Sequence, residues 1–154
     1  LEKIPKDVEF IIENAGNRKI GQTIEEIAEI IKELKDKRLK VCLDTCHLHA
    51  AGYDLRTTKS FNDFLTVLDK SIGLERLSLW HVNDSKDPFG SLRDRHENIG
   101  MGEVGVYVFK NILNHPNTKK IPCILEFPGF DGEGPDKKNI DIFKSFQPFH
   151  DAGM

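Results

Sequence analysis

A chain of 154 residues, 38% apolar and 31% charged, is long enough to bury one sizeable core, and it reads as a single domain over 1–154. Its net charge of −3 argues against a broadly basic surface that coats nucleic acid, although divalent cations in a carboxylate pocket would reverse the local sign. No apolar run approaches the roughly 20 residues of a membrane helix. The N-terminus carries no secretory pattern, so a cytoplasmic chain with no membrane partner is expected. Cys42, Cys46 and Cys123 form no C-x-x-C pair and read as reduced core thiols. The chain starts at Leu1 rather than Met, which suggests a fragment.

Val8 to Ile12 reads as a strand, followed by Glu13 and Asn-Ala-Gly. Thr23 with Glu26 forms a capping box, and Ile24, Ile27, Ile31 and Leu34 recur at helical spacing. Glu25, Glu26, Glu29 and Lys32 then form a solvated face. Leu39 to Leu43 is a second strand, ending in Asp44 and a tight loop that holds His47. Phe61, Phe64, Leu65, Leu68 and Ile72 mark a second helix, with Ser60 as its N-cap and Gly73 after its end. Leu77 to Trp80 is a third strand leading into His81, and a long polar loop runs from His81 to Gly105. Val106, Phe109, Ile112 and Leu113 give a third helix that stops before Pro116. Ile121 to Leu125 leads into Glu126, and a last helix falls around Ile140, Phe143 and Phe146.

The order is β-α four times over, with apolar rather than alternating strands. Such strands imply a parallel α/β sheet buried on both faces. Glu13, Asp44, His81 and Glu126 each end a different strand, so parallel strands would bring all four to one rim. Three carboxylates and an imidazole suit a divalent cation such as Zn2+ or Mn2+. The plainer reading of each alone is a polar residue where a loop begins. Asp94 and His96, two apart in an extended segment, point the same way, and His47 would complete a three-donor set with an open position. The plainer reading here is a loop salt bridge between Asp94 and Arg93 or Arg95.

Arg93, Arg95 and Lys86 are candidate phosphate contacts, against the commoner case of solvated loop cations. His49, His115 and His150 read as surface or packing residues. Gly90, Gly100, Gly102 and Gly105 permit tight turns, or else close approach of a DNA backbone.

Four stretches carry a family resemblance: FIIENAG (residues 10–16), CLDTCHLHAAGYDLRT (42–57), HVNDSKDPFGSLRDRHENIGMGEVG (81–105) and ILEFPG (124–129). The chain resembles the C-terminal half of endonuclease IV, the apurinic/apyrimidinic endonuclease of base-excision repair. That resemblance implies a (β/α)8 TIM barrel of which about four βα units are present here. It also implies three clustered zinc ions. Glu13 resembles the carboxylate bridging the first two, Asp44, His81 and Glu126 the other ligands of the second, and His47, Asp94 and His96 the third set. Glu126 and Glu13 are the catalytic candidates, with Glu126 helping to activate the attacking water.

The implied reaction is hydrolysis of the phosphodiester 5′ to an abasic site in double-stranded DNA, leaving a 3′-hydroxyl and a 5′-deoxyribose phosphate. Two histidines that complete the family's first zinc site have no counterpart here. The missing N-terminal half, or a second copy, is therefore the expected partner that completes the barrel. The run after ENAG is NRKIG where the family is glycine-rich, and His49 stands where an apolar or aromatic residue is expected. The alternatives are a xylose-isomerase-like sugar isomerase or epimerase, which uses a similar tetrad but has no need of Asp94 and His96, and an inactive truncated fragment.

Overall fold

The computed structural model describes residues 3–147. Strands β1 (Phe10–Glu13), β2 (Leu39–Asp44), β3 (Leu77–His81) and β6 (Cys123–Ile124) form one parallel sheet in the order β1-β2-β3-β6. Helices α1 (Ile24–Leu34) and α3 (Thr58–Ser71) follow β1 and β2 in the chain, α4 (Val106–Asn114) follows β3 and its long loop, and α5 (Lys137–Lys144) follows β6. This is half of a (β/α)8 barrel, the fold class expected from the sequence.

The apolar stripe of α1 explains its place. Ile24, Ile27 and Ile31 are buried, and the Thr23–Glu26 capping box closes its N-terminus. Leu34, on the same stripe, is 50% exposed. Beneath the helices, Val41 and Leu43 of β2 and Trp80 of β3 are fully buried, with Phe61, Leu68, Phe109 and Ile112 completing the core. Side chains alternate across a strand, so the other face of the sheet carries Ile11, Cys42, Leu79 and Ile124 below Glu13, Asp44 and His81.

Several elements depart from the sequence reading. β1 is not buried on both faces: Phe10 is 45% and Ile11 44% exposed, because no strand pairs with its outer edge. β6 is similarly open, with Ile124 45% exposed, and it is shorter than the predicted 121–125. The segment after Asp44 is a helix, α2 (Thr45–Ala51), not a tight loop. Thr57, not Ser60, caps α3; Ser60 occupies the third helical position and returns the capping hydrogen bond to Thr57 N–H. The 81–105 segment contains a short antiparallel ladder, β4 (Asp84–Ser85) with β5 (His96–Glu97). The last helix ends at Lys144, so Phe146 lies beyond it. His150 lies outside the described residues. Among the described residues, no helix is long and apolar enough to cross a membrane.

Candidate metal centre

The strand ends bring two donor sets together on one rim. Glu13, Asp44, His81 and Glu126 each offer a ligand atom within 4.8 Å of the others, and so do His47, Asp94 and His96. Glu13, Asp44 and His81 are the last residues of β1, β2 and β3, and Glu126 lies two residues beyond β6. A register irregularity between Val41 and Cys42 sets Asp44 level with His81 across the ladder. His81 Nδ1 lies 3.0 Å from Glu13 Oε1 and 3.3 Å from Glu126 Oε2.

His47 comes from α2, whose N-cap is Asp44: the Asp44 carboxylate accepts His47 N–H at 3.0 Å. The ring then donates Nδ1–H to the Asn14 carbonyl at 2.7 Å, which leaves Nε2 as the free lone pair, 3.1 Å from Asp94 Oδ1. His96, on β5, is set the same way. Its Nδ1–H donates to the Glu126 carbonyl at 3.0 Å, and Nε2 lies 3.3 Å from the same Asp94 oxygen. Backbone carbonyls thus fix both tautomers with Nε2 turned inward, the arrangement that prepares histidine for a metal. His96 Nε2 is buried and has no hydrogen-bond partner, a costly condition that a cation would relieve. The donor chemistry and this orphaned nitrogen both fit a divalent cation.

Residues 2–146 match the family model described as xylose isomerase-like TIM barrel. This chain belongs to that family. Within it, the chain falls among the endonuclease IV proteins. The "Probable endonuclease 4" of Chlorobium phaeobacteroides strain BS1 is 48% identical over 121 residues, 77% of this chain and 43% of the relative. That of Sulfurihydrogenibium sp. strain YO3AOP1 is 40% identical over 143 residues, covering 91% and 50%. The crystal structure of endonuclease IV from Thermus thermophilus superposes with a TM-score of 0.76 at 34% identity, covering 93% of this chain and 51% of that one. The crystal structure of AsfvAP:AG shares the fold, with a TM-score of 0.70 at 20% identity. The chain spans about half the length of the relatives it matches.

In this endonuclease IV-family chain His81, Glu13 and Asp44 are displaced from their ordinary values. Hydrogen bonding to the Cys42 sulfur and the Glu13 carboxylate pushes the His81 imidazole up to about 11. The same contact with His81 lowers Glu13. Burial raises Asp44, although His47 and His96 oppose it. Burial also pushes the Cys46 thiol up to about 12, in keeping with a packed, protonated thiol.

The basic candidates divide. Lys86 is exposed, whereas Arg95 forms a two-pronged pair with the buried Asp87, and Arg93 approaches the same carboxylate at 3.6 Å. The predicted alternative partner of these arginines, Asp94, faces the two histidines instead. His49 is a packing residue, with Nε2–H donating to the Asp87 carbonyl at 3.1 Å and its ring edge-on to Phe89.

Sequence reasoning passed over the polar frame that holds these ligands. Asn14 Oδ1 accepts Asp44 N–H at 2.6 Å. Asn17 Oδ1 accepts Asp94 N–H at 2.9 Å, with Asn17 itself left-handed at φ 55°, so the NRKIG run ties the β1 loop to the third donor set. Asp84 accepts four backbone N–H groups, from Ser85, Gly100, Gly102 and Val104, and gathers the glycine loop around one carboxylate. A Cβ on Gly102 would stand 2.4 Å from the Ser85 carbonyl oxygen. The signal for this frame was an excess of Asn and Asp beside the ligands, but pairing it required the fold.

Gly16 serves the same end. A Cβ there would come within 2.6 Å of Asp94 Cβ. Gly16→Ala is therefore expected to displace Asp94 and weaken cation binding at the His47–Asp94–His96 set by about 10-fold or more. Titration against a chromogenic chelator measures this, and wild-type affinity would show that the loop yields without cost.

Proposed function

We propose that this chain is the C-terminal half of a DNA-repair endonuclease that hydrolyses the phosphodiester 5′ to an abasic site, giving 3′-hydroxyl and 5′-deoxyribose phosphate ends. The observation that carries the reading is the second donor set. A sugar isomerase of the same family would use Glu13, Asp44, His81 and Glu126, but would leave the convergence of His47, Asp94 and His96 without a task.

In this reading the tetrad and the three-donor set each hold one Zn2+, or Mn2+, and Glu13 offers one ligand to a third ion. When bound, these ions supply a hydroxide near neutral pH and offset charge on the phosphodiester oxygens. The chain's own residues do the rest. Glu126, 45% exposed at the rim beside His81, is placed to take the proton of the attacking water. The Asn14 and Glu126 carbonyls hold the His47 and His96 rings with Nε2 turned inward. Lys86 and Arg93 are exposed on the connecting loop and contact DNA phosphates, while Arg95 is engaged by Asp87. An abasic nucleotide enters because a missing base leaves less stacking to break.

The open edges of β1 and β6 are closed by a further half-barrel, from additional chain or a second copy. The test is a duplex carrying one abasic-site analogue, incubated with zinc and either this chain or one extended to a whole barrel. Incision 5′ to the lesion, lost on Glu126→Gln, is the expected result for the complete barrel. A complete barrel that loads metal but leaves the duplex intact, while turning over an aldose, would replace this reading with the isomerase.

A further inference from the structure

Asn83 lies two residues beyond β3, is fully buried, and spends every hydrogen-bonding group it has. Its Nδ2 donates to Asp44 Oδ2 at 2.5 Å and to Glu126 Oε2 at 3.2 Å, while its Oδ1 accepts Glu126 N–H at 2.8 Å. Its backbone is fixed as firmly: Asn83 N–H donates to Thr45 Oγ1 at 2.8 Å, and the Thr45 hydroxyl donates to its carbonyl at 2.6 Å. We propose that Asn83 is the positioning residue of the tetrad, a neutral clamp that holds the Asp44 and Glu126 carboxylates at the spacing one cation needs. This rests on the cation reading above and deepens it.

Two carboxylates turned toward one point repel each other, and the low dielectric of a buried site strengthens that repulsion. An amide NH2 between them answers it with two donors and no charge. It also removes rotational freedom, because Glu126 is gripped by both its carboxylate and its backbone N–H. Few side chains fit this place. Asp matches the shape but supplies acceptors where donors are needed. Gln adds a methylene to a fully packed position. Leu fills the volume but leaves the buried Asp44 oxygen, the Glu126 oxygen and the Glu126 N–H unanswered.

The bland account of a satisfied buried asparagine is that it merely joins β3 to the β6 segment. The two accounts part on which cation they affect. A clamp acts first on the tetrad and reaches the other set only through the Glu126 carbonyl at His96 and the Asp44 cap of His47, whereas a structural link acts on the fold and so weakens both sets alike.

The experiment compares the unsubstituted chain, Asn83→Asp, and both again in an Asp94→Ala background where only the tetrad is intact. Readouts are Zn2+ affinity by chelator competition, the visible spectrum of bound Co2+, and melting of the metal-free protein. Tetrad affinity is expected to fall about 10- to 100-fold, with altered Co2+ bands. Affinity at the His47–Asp94–His96 set is expected to fall much less than at the tetrad, and the metal-free Asn83→Asp chain still to melt cooperatively, at a lower temperature because a carboxylate replaces a donor at a fully buried position. Asn83→Ser, uncharged and with one donor left, stands in if Asn83→Asp does not fold, and an intermediate loss is expected from it. Wild-type tetrad affinity and Co2+ spectrum in either folded variant overturn the proposal. So does equal weakening of both sets together with loss of metal-free melting. If the unsubstituted chain binds no cation at all, the cation reading fails and takes this inference with it; binding of two cations that ignores position 83 sinks the inference alone.

Discussion

Asp94→Ala is expected to remove one bound cation per chain and leave the other in place. A single Asp94 oxygen lies 3.1 Å from His47 Nε2 and 3.3 Å from His96 Nε2, so it is the common member of the set. Without it two imidazoles remain, their ring centroids 5.9 Å apart, with no carboxylate to balance the charge of a divalent ion. Loss of an outer hydrogen-bond partner typically weakens a metal site 10- to 100-fold, so loss of a direct ligand should cost at least about 100-fold.

The fold should tolerate the change. Asp94 is partly exposed, and its main contribution to the frame, the N–H donated to Asn17, belongs to the backbone and survives. Substitutions of that kind usually alter stability by no more than about 0.5 kcal/mol. Metal counting after dialysis, with melting of the metal-free protein as control, decides the matter. Full stoichiometry in the variant would strike the third set from the reading.

Cation affinity at the tetrad is expected to rise steeply with pH, by about 10-fold per unit from pH 6 to 8. With His81 pushed up to about 11, its imidazole is protonated throughout that range in the metal-free protein. Each cation that enters must expel that proton, so acid competes with metal. Calorimetry in two buffers of different ionisation heat should find about one proton released per tetrad cation at pH 7. Flat affinity and no released proton would exclude His81 as a ligand.

The same shifts have the opposite consequence for the metal-free fold. His81 holds its proton more tightly folded than unfolded, so its contribution to stability is complete below about 6.5 and fades as pH rises through about 11. Glu13 is lowered, so its contribution is present above its ordinary 4.5 and is lost as pH falls through its folded value. Asp44 is raised by burial, so it works against the fold once pH exceeds its ordinary 3.8. A cation that accepts Asp44 as an anion therefore stabilises the protein most where the empty tetrad strains it most.

The parallel β-α order is legible in the residues, because apolar runs ending in polar residues and stripes such as Ile24-Ile27-Ile31 leave little choice of period. It also determined which residue types gather, since strands that run the same way deliver Glu13, Asp44 and His81 to one end. The sequence could not show α2, because Thr45 to Ala51 has no helical stripe of its own and is buried almost all round. Nor could it show that Arg95 is claimed by Asp87, eight positions away, or that Thr57 rather than Ser60 opens α3. Such choices between equally plausible polar partners depend on distances across the chain. The tautomers of His47 and His96 and the grip of Asn83 come from the folded chain, because a hydrogen bond between residues 14 and 47, or 83 and 126, exists only once the sheet has set them side by side.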